Sequence, residues 1–399
     1  MPTADVVIMG GGVIGLSTAY HLARKQAGRI VLLEKGPLGD GSSSRAAGIT
    51  SNLMWTETGV AARQVGAKLF RELSEELEGY TYYNEHGCLN TYTPTQWANY
   101  QRVLPIYDRL DAPYEVLDAV EMRSRWPALT PDEHTVGILD PQGGYSEPPE
   151  YIAALSRRIR ELGVEVREGE KVVDWQMGEG RVRGVCTESE VFAAEAVVCT
   201  VHAWGSKLLG RLGWKIPVKY FVHQRYVTAP INEPLHWPPV NANSQDAYFR
   251  PASGNRILVG TSSPDRAEHR VESLDFHMSE LSTPTTVRDA AANRLAALLP
   301  ALKNTTWKSE RVGLLGFSMD EEPILGAVDR LPGLFVGASF HSGGFSYNPV
   351  AGLLLAECVL DGHTCVDISG FSPNRFQDAE VDAYLTTTLD ERDINNRRH

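Results

Sequence analysis

A glycine-rich turn fixes the architecture of the N-terminal part of the chain. Residues 5–9 (D-V-V-I-M) form a short, β-branched, apolar run that reads as a buried parallel strand. Gly10-Gly11-Gly12-Val13-Ile14-Gly15 follows at once, residues 16–25 read as a helix, and residues 29–34 read as the next strand. This is G-x-G-x-x-G inside a strand–turn–helix–strand unit. Gly10 makes the tight turn, Gly12 has no side chain to hold the backbone away from a pyrophosphate, and Gly15 lets the helix pack on the sheet. The free N–H groups at the helix start, around Val13 and Ile14, and the helix dipole favour phosphate there. Glu34 closes the second strand roughly 20 residues beyond Gly15, where a carboxylate accepts hydrogen bonds from an adenosine ribose. A 2′-phosphate is disfavoured there because two anions would meet. Other α/β folds also contain glycine-rich turns, but here strand, helix and acid all stand where dinucleotide binding needs them.

Past Glu34 and Lys35 comes a small, polar loop, residues 37–44, ending in Ser42-Ser43-Ser44, and then Arg45-Ala46-Ala47-Gly48. Serine hydroxyls and exposed N–H groups suit phosphate and ribityl oxygens; the bland alternative is a flexible serine loop. The run G-S-S-S-R-A-A-G-I resembles the second flavin contact of the D-amino-acid oxidase and sarcosine oxidase family of FAD enzymes. The resemblance implies FAD rather than NAD.

Hydrophobic residues make up 42% of the chain, enough for a sizeable core. The net charge of −12 disfavours nucleic acid or an anionic membrane as partner. Five cysteines without C-x-x-C spacing suit reduced thiols, a cytoplasmic location and no metal site. Residues 6–23 are fairly apolar, but no Lys or Arg precedes them and the glycines interrupt them, so they do not read as a signal peptide. No other stretch is long and apolar enough to span a membrane.

Residues 59–79 read as an amphipathic helix, with Val65, Leu69, Leu73 and Leu77 on one stripe and Arg, Glu and Lys filling the other face. Residues 80–89 read as a strand, 95–110 and 117–126 as helices, 135–139 as a strand, and 149–162 as a helix opened by Pro149. Strands are expected at 163–167, 171–175, 192–200, 218–229, 246–250 and 256–261, a helix at 284–299, and a strand at 307–319 returning to the first domain. The expected fold is therefore α/β: a Rossmann-like, glutathione-reductase-type FAD-binding domain (1–80, 146–217, 305–370). An antiparallel-sheet α+β substrate domain (81–145, 218–304) interrupts it. The polar tail, 385–399, is either mobile or an oligomer contact, so a homo-oligomer is allowed.

Residues 337–360 form the second chemical constellation, a Gly-rich turn followed by an apolar helix. Such a turn aims N–H groups and a positive helix end at one point, which suits the negative charge of a reduced flavin. The stretch resembles the family's closing motif G-x-S-G-H-G-F-K/Q: Gly343, Gly344 and Phe345 match, and Ser346 stands where some sarcosine oxidases carry a substrate-binding lysine. The alternative is an ordinary αβ connection. The resemblance also places Val172, with Val173, against the adenine. His202 departs from the family's A-G-A-W, and either faces the cofactor or is a satisfied structural histidine. Relatives that attach FAD covalently use a His where this chain has Arg45 or a Cys where it has Gly313, so non-covalent FAD is expected.

The resemblance implies oxidation of a primary or secondary amine, such as an amino acid or N-alkyl amino acid, by hydride transfer to flavin N5. The alternatives are an electron-relay flavin subunit and a hydroxy-acid oxidoreductase. His341 and Tyr347, on the closing loop, are the candidates for holding the amine neutral, with His223 more distant; each has a packed, structural alternative. A substrate carboxylate calls for an arginine. The family's arginine positions fall near Ser51 and Leu315, leaving Arg45, Arg250 and Arg311; Arg250 is preferred, on a strand with aromatic neighbours. The electron acceptor is oxygen or another oxidant. The stretch 257–270, where fast oxidases often keep a lysine, has only Arg266, His269 and Arg270 as bases. The reading leans to oxidase over dehydrogenase.

Overall fold

The structure of the protein, a computed structural model, describes residues 3–261 and 268–389. The apolar run after Thr3 becomes the strand Thr3–Met9, the centre of the first sheet. It pairs in parallel with Ile30–Glu34 on one side and Val191–Cys199 on the other, in register Val7↔Val31 and Val7↔Val197. Glu165–Glu168 extends one edge in parallel, and Leu334–Ala338 lies parallel to Val191–Cys199. Strands buried on both faces need cover on both, and Val7, Ile8 and Met9 are fully buried. One face is covered by the helices Val13–Arg24, Pro148–Glu161 and Gly344–Leu360. A Cβ on Gly352 would lie 2.4 Å from the backbone of Ser17, so the closing helix and the first helix cross almost in backbone contact. A hairpin, Val172–Gly178 with Arg181–Thr187, joins the same sheet.

The second sheet is mostly antiparallel. Its order is Trp307–Ser318, Val218–Thr228, Arg256–Thr261, Ala247–Ala252, Val240–Ala242, Cys88–Tyr92, Val136–Asp140 and Glu115–Leu117. A small third sheet joins Ile49–Thr50, Gly144–Ser146 and Tyr82–Tyr83 between the two.

Several expectations are corrected. The strand Trp307–Ser318 was expected with the dinucleotide-binding pieces, but it hydrogen bonds along Val218–Thr228 in the second sheet. The return to the first sheet comes only at Ile324–Ala327. The expected helix over 117–126 begins later, at Ala119–Arg125, because Asp118 caps it with Glu121 in a reciprocal box while Glu115–Leu117 is an edge strand. The helix expected at 95–110 is broken into Pro94–Tyr100 and Leu104–Arg109 by a single tight turn, with Pro105 in the first turn of the second piece. The strands Arg181–Thr187 and Val240–Ala242 were not foreseen. Only residues 385–389 of the polar tail fall within the described residues.

Candidate active site

The glycine turn stands where the strand Thr3–Met9 hands over to the helix Val13–Arg24. Gly10 has φ +100°, a conformation open to glycine, and a Cβ there would meet the Thr200 carbonyl oxygen at 2.9 Å. On Gly15 a Cβ would lie 1.9 Å from the Gly10 carbonyl oxygen. Gly15 is therefore a packing position. Gly10, Gly12, Val13 and Ile14 line one long cavity. Gly12 caps the helix without a side-chain bond, and the Val13 N–H donates to Ser43 Oγ at 3.0 Å. That bond shows the helix end reaching for an oxygen.

Glu34 and Lys35 line the same end of the cavity. Burial pushes the Glu34 carboxyl up from its ordinary value, and N–H bonds from Gly36 (2.9 Å) and Gly11 (2.7 Å) partly offset this. Lys35 lies 4.1 Å over the Trp204 ring and donates to the Leu274 and Phe276 carbonyls. It ties down the segment whose Leu274, His277 and Met278 cover this end.

The middle of the cavity is built by the serine loop. Ser42 Oγ donates to the Leu314 carbonyl at 2.8 Å, while Ser42, Ser43, Arg45, Ala46, Ala47 and Gly48 line the wall. Ser44 does not; its carbonyl accepts from Arg225. Arg45 donates to the Asp40 and Gly41 carbonyls and packs on Gly313, whose Cβ would be 3.1 Å from Arg45 Cδ. Val172 lines the cavity, whereas the Val173 carbonyl is taken by Arg211. From the closing helix, Gly344 and Phe345 face the cavity; Gly343 is the N-cap behind them and Ser346 Oγ donates to the Ile49 carbonyl.

The far end is polar. His223 Nε2 is 3.0 Å from Tyr248 Oη with the rings stacked, and both border the cavity with Asn241, Asn243, His341 and Ser342. His341 Nε2 lies 3.3 Å from Ser318 Oγ, which gives its own proton to the Glu322 carbonyl at 2.6 Å. With the Ser318 proton committed elsewhere, His341 Nε2 is the donor in this pair. His202 borders the cavity and pairs with the Leu314 carbonyl at 3.1 Å; burial pushes its pKa down to about 4, so it is neutral. Asn241, Asn243, His277 and Leu314 carried no motif that would have marked them in the sequence.

Two candidates leave the site. Arg250 is fully buried and its guanidinium is taken: Nη1 and Nη2 donate to Glu147 at 2.9 Å, Nε to the Ala47 carbonyl, and the ring of Tyr145 lies 4.8 Å beneath. It braces the wall from outside and has no free fork for a substrate carboxylate. Tyr347 stands in the helix Gly344–Leu360, not on the loop, and packs off the cavity under the guanidinium of Arg63. Arg311 is exposed and bonds its neighbour's carbonyl. Arg266 lies outside the described residues.

A glycine cradle, the carboxyl of Glu34 and a second helix end on one cavity fit FAD. The donors along it are backbone N–H groups and hydroxyls, which suit phosphate and ribityl oxygens. The chain belongs to the family of FAD dependent oxidoreductases, whose profile matches residues 5–358. FAD is its cofactor and it is an oxidoreductase, as the two motifs implied. It is 30% identical over 381 residues to glycine oxidase of Geobacillus kaustophilus, covering 93% of this chain and 97% of that one. It is 28% identical over 394 residues to mitochondrial sarcosine dehydrogenase of Mus musculus; this is 95% of the chain but only 42% of that longer protein. The solved structure of L-proline dehydrogenase from P. horikoshii superposes with a TM-score of 0.86 at 23% identity, covering 94% of this chain and 98% of that one, a likeness of fold. Among the described residues, no helix is long and apolar enough to cross a membrane and no side-chain cluster could hold a metal ion.

Proposed function

We propose that the protein oxidises the C–N bond of a primary or secondary amine, an amino acid or N-alkyl amino acid, to an imine that water hydrolyses. The first sheet is the FAD domain in this reading, and the second carries the substrate. One observation carries the proposal. A single cavity runs from Glu34 to a polar end walled by His341 and by the His223–Tyr248 pair of the second sheet. Bound FAD supplies a two-electron acceptor for the hydride on the carbon next to nitrogen. The chain's own task is to hold that carbon in place and keep the amine neutral. His341, which lines the cavity, is the candidate base for the second task. The helix end at Gly344, with its N–H groups and positive dipole, would hold the flavin ring and favour negative charge there.

FAD is held non-covalently in this reading, since Arg45 and Gly313 occupy the two attachment positions. Five free thiols support a cytoplasmic location. The acceptor is oxygen, or another oxidant. The test is anaerobic flavin bleaching with sarcosine, glycine, proline and larger N-substituted amino acids beside a set of hydroxy acids. Bleaching by an amine supports the proposal; bleaching only by hydroxy acids, or by none, overturns it. Peroxide formed in step with turnover identifies an oxidase, and reoxidation only by an artificial acceptor a dehydrogenase.

A further inference from the structure

Residues 268–283 leave the second sheet, cross to the first and return. At the outgoing end Glu268 pairs with Phe221, and the His269 N–H donates to the Tyr220 carbonyl at 2.7 Å, both on the strand Val218–Thr228. At the returning end Thr283 Oγ1 lies 3.4 Å from Tyr226 Oη on that strand and donates to Glu310 on the next one at 3.2 Å. Both feet of the segment therefore stand on the second sheet.

Between the feet, residues 269–277 form no helix or strand. Groups of the first domain take the place of ladder bonds. Lys35 Nζ donates to the carbonyls of Leu274 at 3.0 Å and Phe276 at 2.7 Å, and Trp204 Nε1 donates to the Phe276 carbonyl at 3.1 Å. Val271 and Met278 are buried in the core cluster that holds Met9, Leu33 and Val172, with Leu274 and Phe276 packed against it. Leu274, His277 and Met278 line the flavin cavity together with Glu34.

The outer edge is held differently. A cleft separates it from the first domain, with Lys171, Lys207 and Arg211 on one side and Glu272, Ser273 and Asp275 on the other. Two ion pairs bridge the cleft: Lys171 with Asp275 at 2.6 Å and Lys207 with Glu272 at 2.9 Å. The two acids are 74% and 73% exposed. Exposed pairs are individually weak and are screened by salt, so they suit a fastening that opens rather than a permanent joint. Neither acid is among the residues that line the flavin cavity, so each can act on a cofactor there only through the segment.

We propose that residues 271–278 form a clasp over the adenosine half of FAD, and that the Lys171–Asp275 and Lys207–Glu272 pairs set how readily the cofactor leaves. This rests on FAD as the cofactor and not on the identity of the substrate. The glycine cradle holds FAD from the first sheet, and the clasp holds it from the second. Release needs only the middle of the segment to lift from Lys35 and Trp204 while its feet stay in place. The folded protein can then exchange FAD without parting its sheets.

The test exchanges bound FAD for isotope-labelled FAD supplied in excess, and reads the flavin retained by the filtered holoenzyme by mass spectrometry. Exchange in the wild type should quicken as sodium chloride is added. Glu272→Lys combined with Asp275→Lys sets lysine against lysine across the cleft. At low salt its exchange should be faster on the order of 10-fold, and it should slow as salt screens the repulsion. Asp275→Asn, which only deletes a charge, should give a smaller gain in the same direction. Glu272→Lys alone should also quicken exchange, and adding Lys207→Glu, which swaps the charges of that pair, should return the rate to that of the wild type. A doubly reversed variant with the wild-type rate and salt response overturns the clasp. So does failure of Lys207→Glu to rescue Glu272→Lys.

Discussion

Arg250 and Glu147 form a two-pronged ion pair between the second sheet and a helix that covers the first, with both guanidinium Nη atoms 2.9 Å from the carboxylate. The pair fastens the strand Ala247–Ala252 to the start of the helix Pro148–Glu161. Removing the arginine strands a buried carboxylate. Arg250→Ala should therefore destabilise the protein by roughly 3–5 kcal/mol, read as a loss of thermal stability, rather than act first on substrate affinity. Burial alone would raise the Glu147 carboxyl, but the Arg250 bonds outweigh it and hold the pKa below the ordinary value. A depressed acid stabilises above its unfolded pKa and loses that contribution as pH falls through the folded one. The wild type should lose this contribution below about pH 4.5, and Glu147→Gln should abolish that part of the acid sensitivity.

Gly12 and Gly15 should separate binding from folding. A Cβ on Gly12 meets only Ser43 Oγ, at 3.1 Å, and its φ of −73° is open to any residue. Gly12→Val should give a folded protein with little flavin, measured as the ratio of flavin to protein absorbance. Gly15→Val has the Gly10 carbonyl in its way at 1.9 Å and should fail to fold.

The side chain of Arg45 packs on Gly313, and neither is a nucleophile. Acid precipitation of the purified protein should leave a colourless pellet under a yellow supernatant. A yellow pellet would show a covalent bond from another residue.

The parts of the site legible in the sequence are local ones. Gly10–Gly15 and Glu34 act through neighbours a few residues away or through one strand pairing, so spacing reveals them. Arg250 misled because its partner Glu147 lies 103 residues away, and only the fold shows that its fork is filled. Arg63, buried against Tyr347, was absorbed into the polar face of an amphipathic helix. That face is not all solvent, since the first two turns of the closing helix lie over part of it: a Cβ on Gly59 would meet Tyr347 Oη, and one on Gly66 would contact Val350. Asn241 is invisible for the same reason, as its short strand pairs in parallel with Cys88–Tyr92 from another part of the chain.

His21 is 7% exposed and bonds the Pro349 carbonyl at 3.0 Å, where the closing helix crosses the first. Burial pushes its pKa down to about 4. The unfolded chain takes up this proton first, so the linked stability is complete above pH 6.5 and is lost as pH falls towards 4. The slope is roughly 1.4 kcal/mol per pH unit for one group. Denaturant unfolding between pH 7 and 4 measures it. In His21→Gln, that part of the slope should vanish. His202 adds to the slope less cleanly, since it borders the cavity and water reaches it there.

His341 is the cavity's candidate base, and its backbone suggests how to remove it cleanly. The residue has φ +51°, in the left-handed region, where asparagine is accommodated better than most residues. His341→Asn should therefore keep the turn, the helix start and the flavin spectrum. Its limiting rate of anaerobic flavin reduction by an amine should fall about 10²-fold or more, the usual contribution of a positioned proton acceptor. Ser318→Ala removes the oxygen that takes the Nε2 proton and so frees the ring to hold its proton on either nitrogen. Its effect should be smaller and of the same sign, because part of the population keeps the productive tautomer. A packed, structural His341 predicts the opposite pattern: a lower melting temperature in His341→Asn with an unchanged limiting rate. Stopped-flow reduction and thermal unfolding of the two variants, measured side by side, decide between these roles.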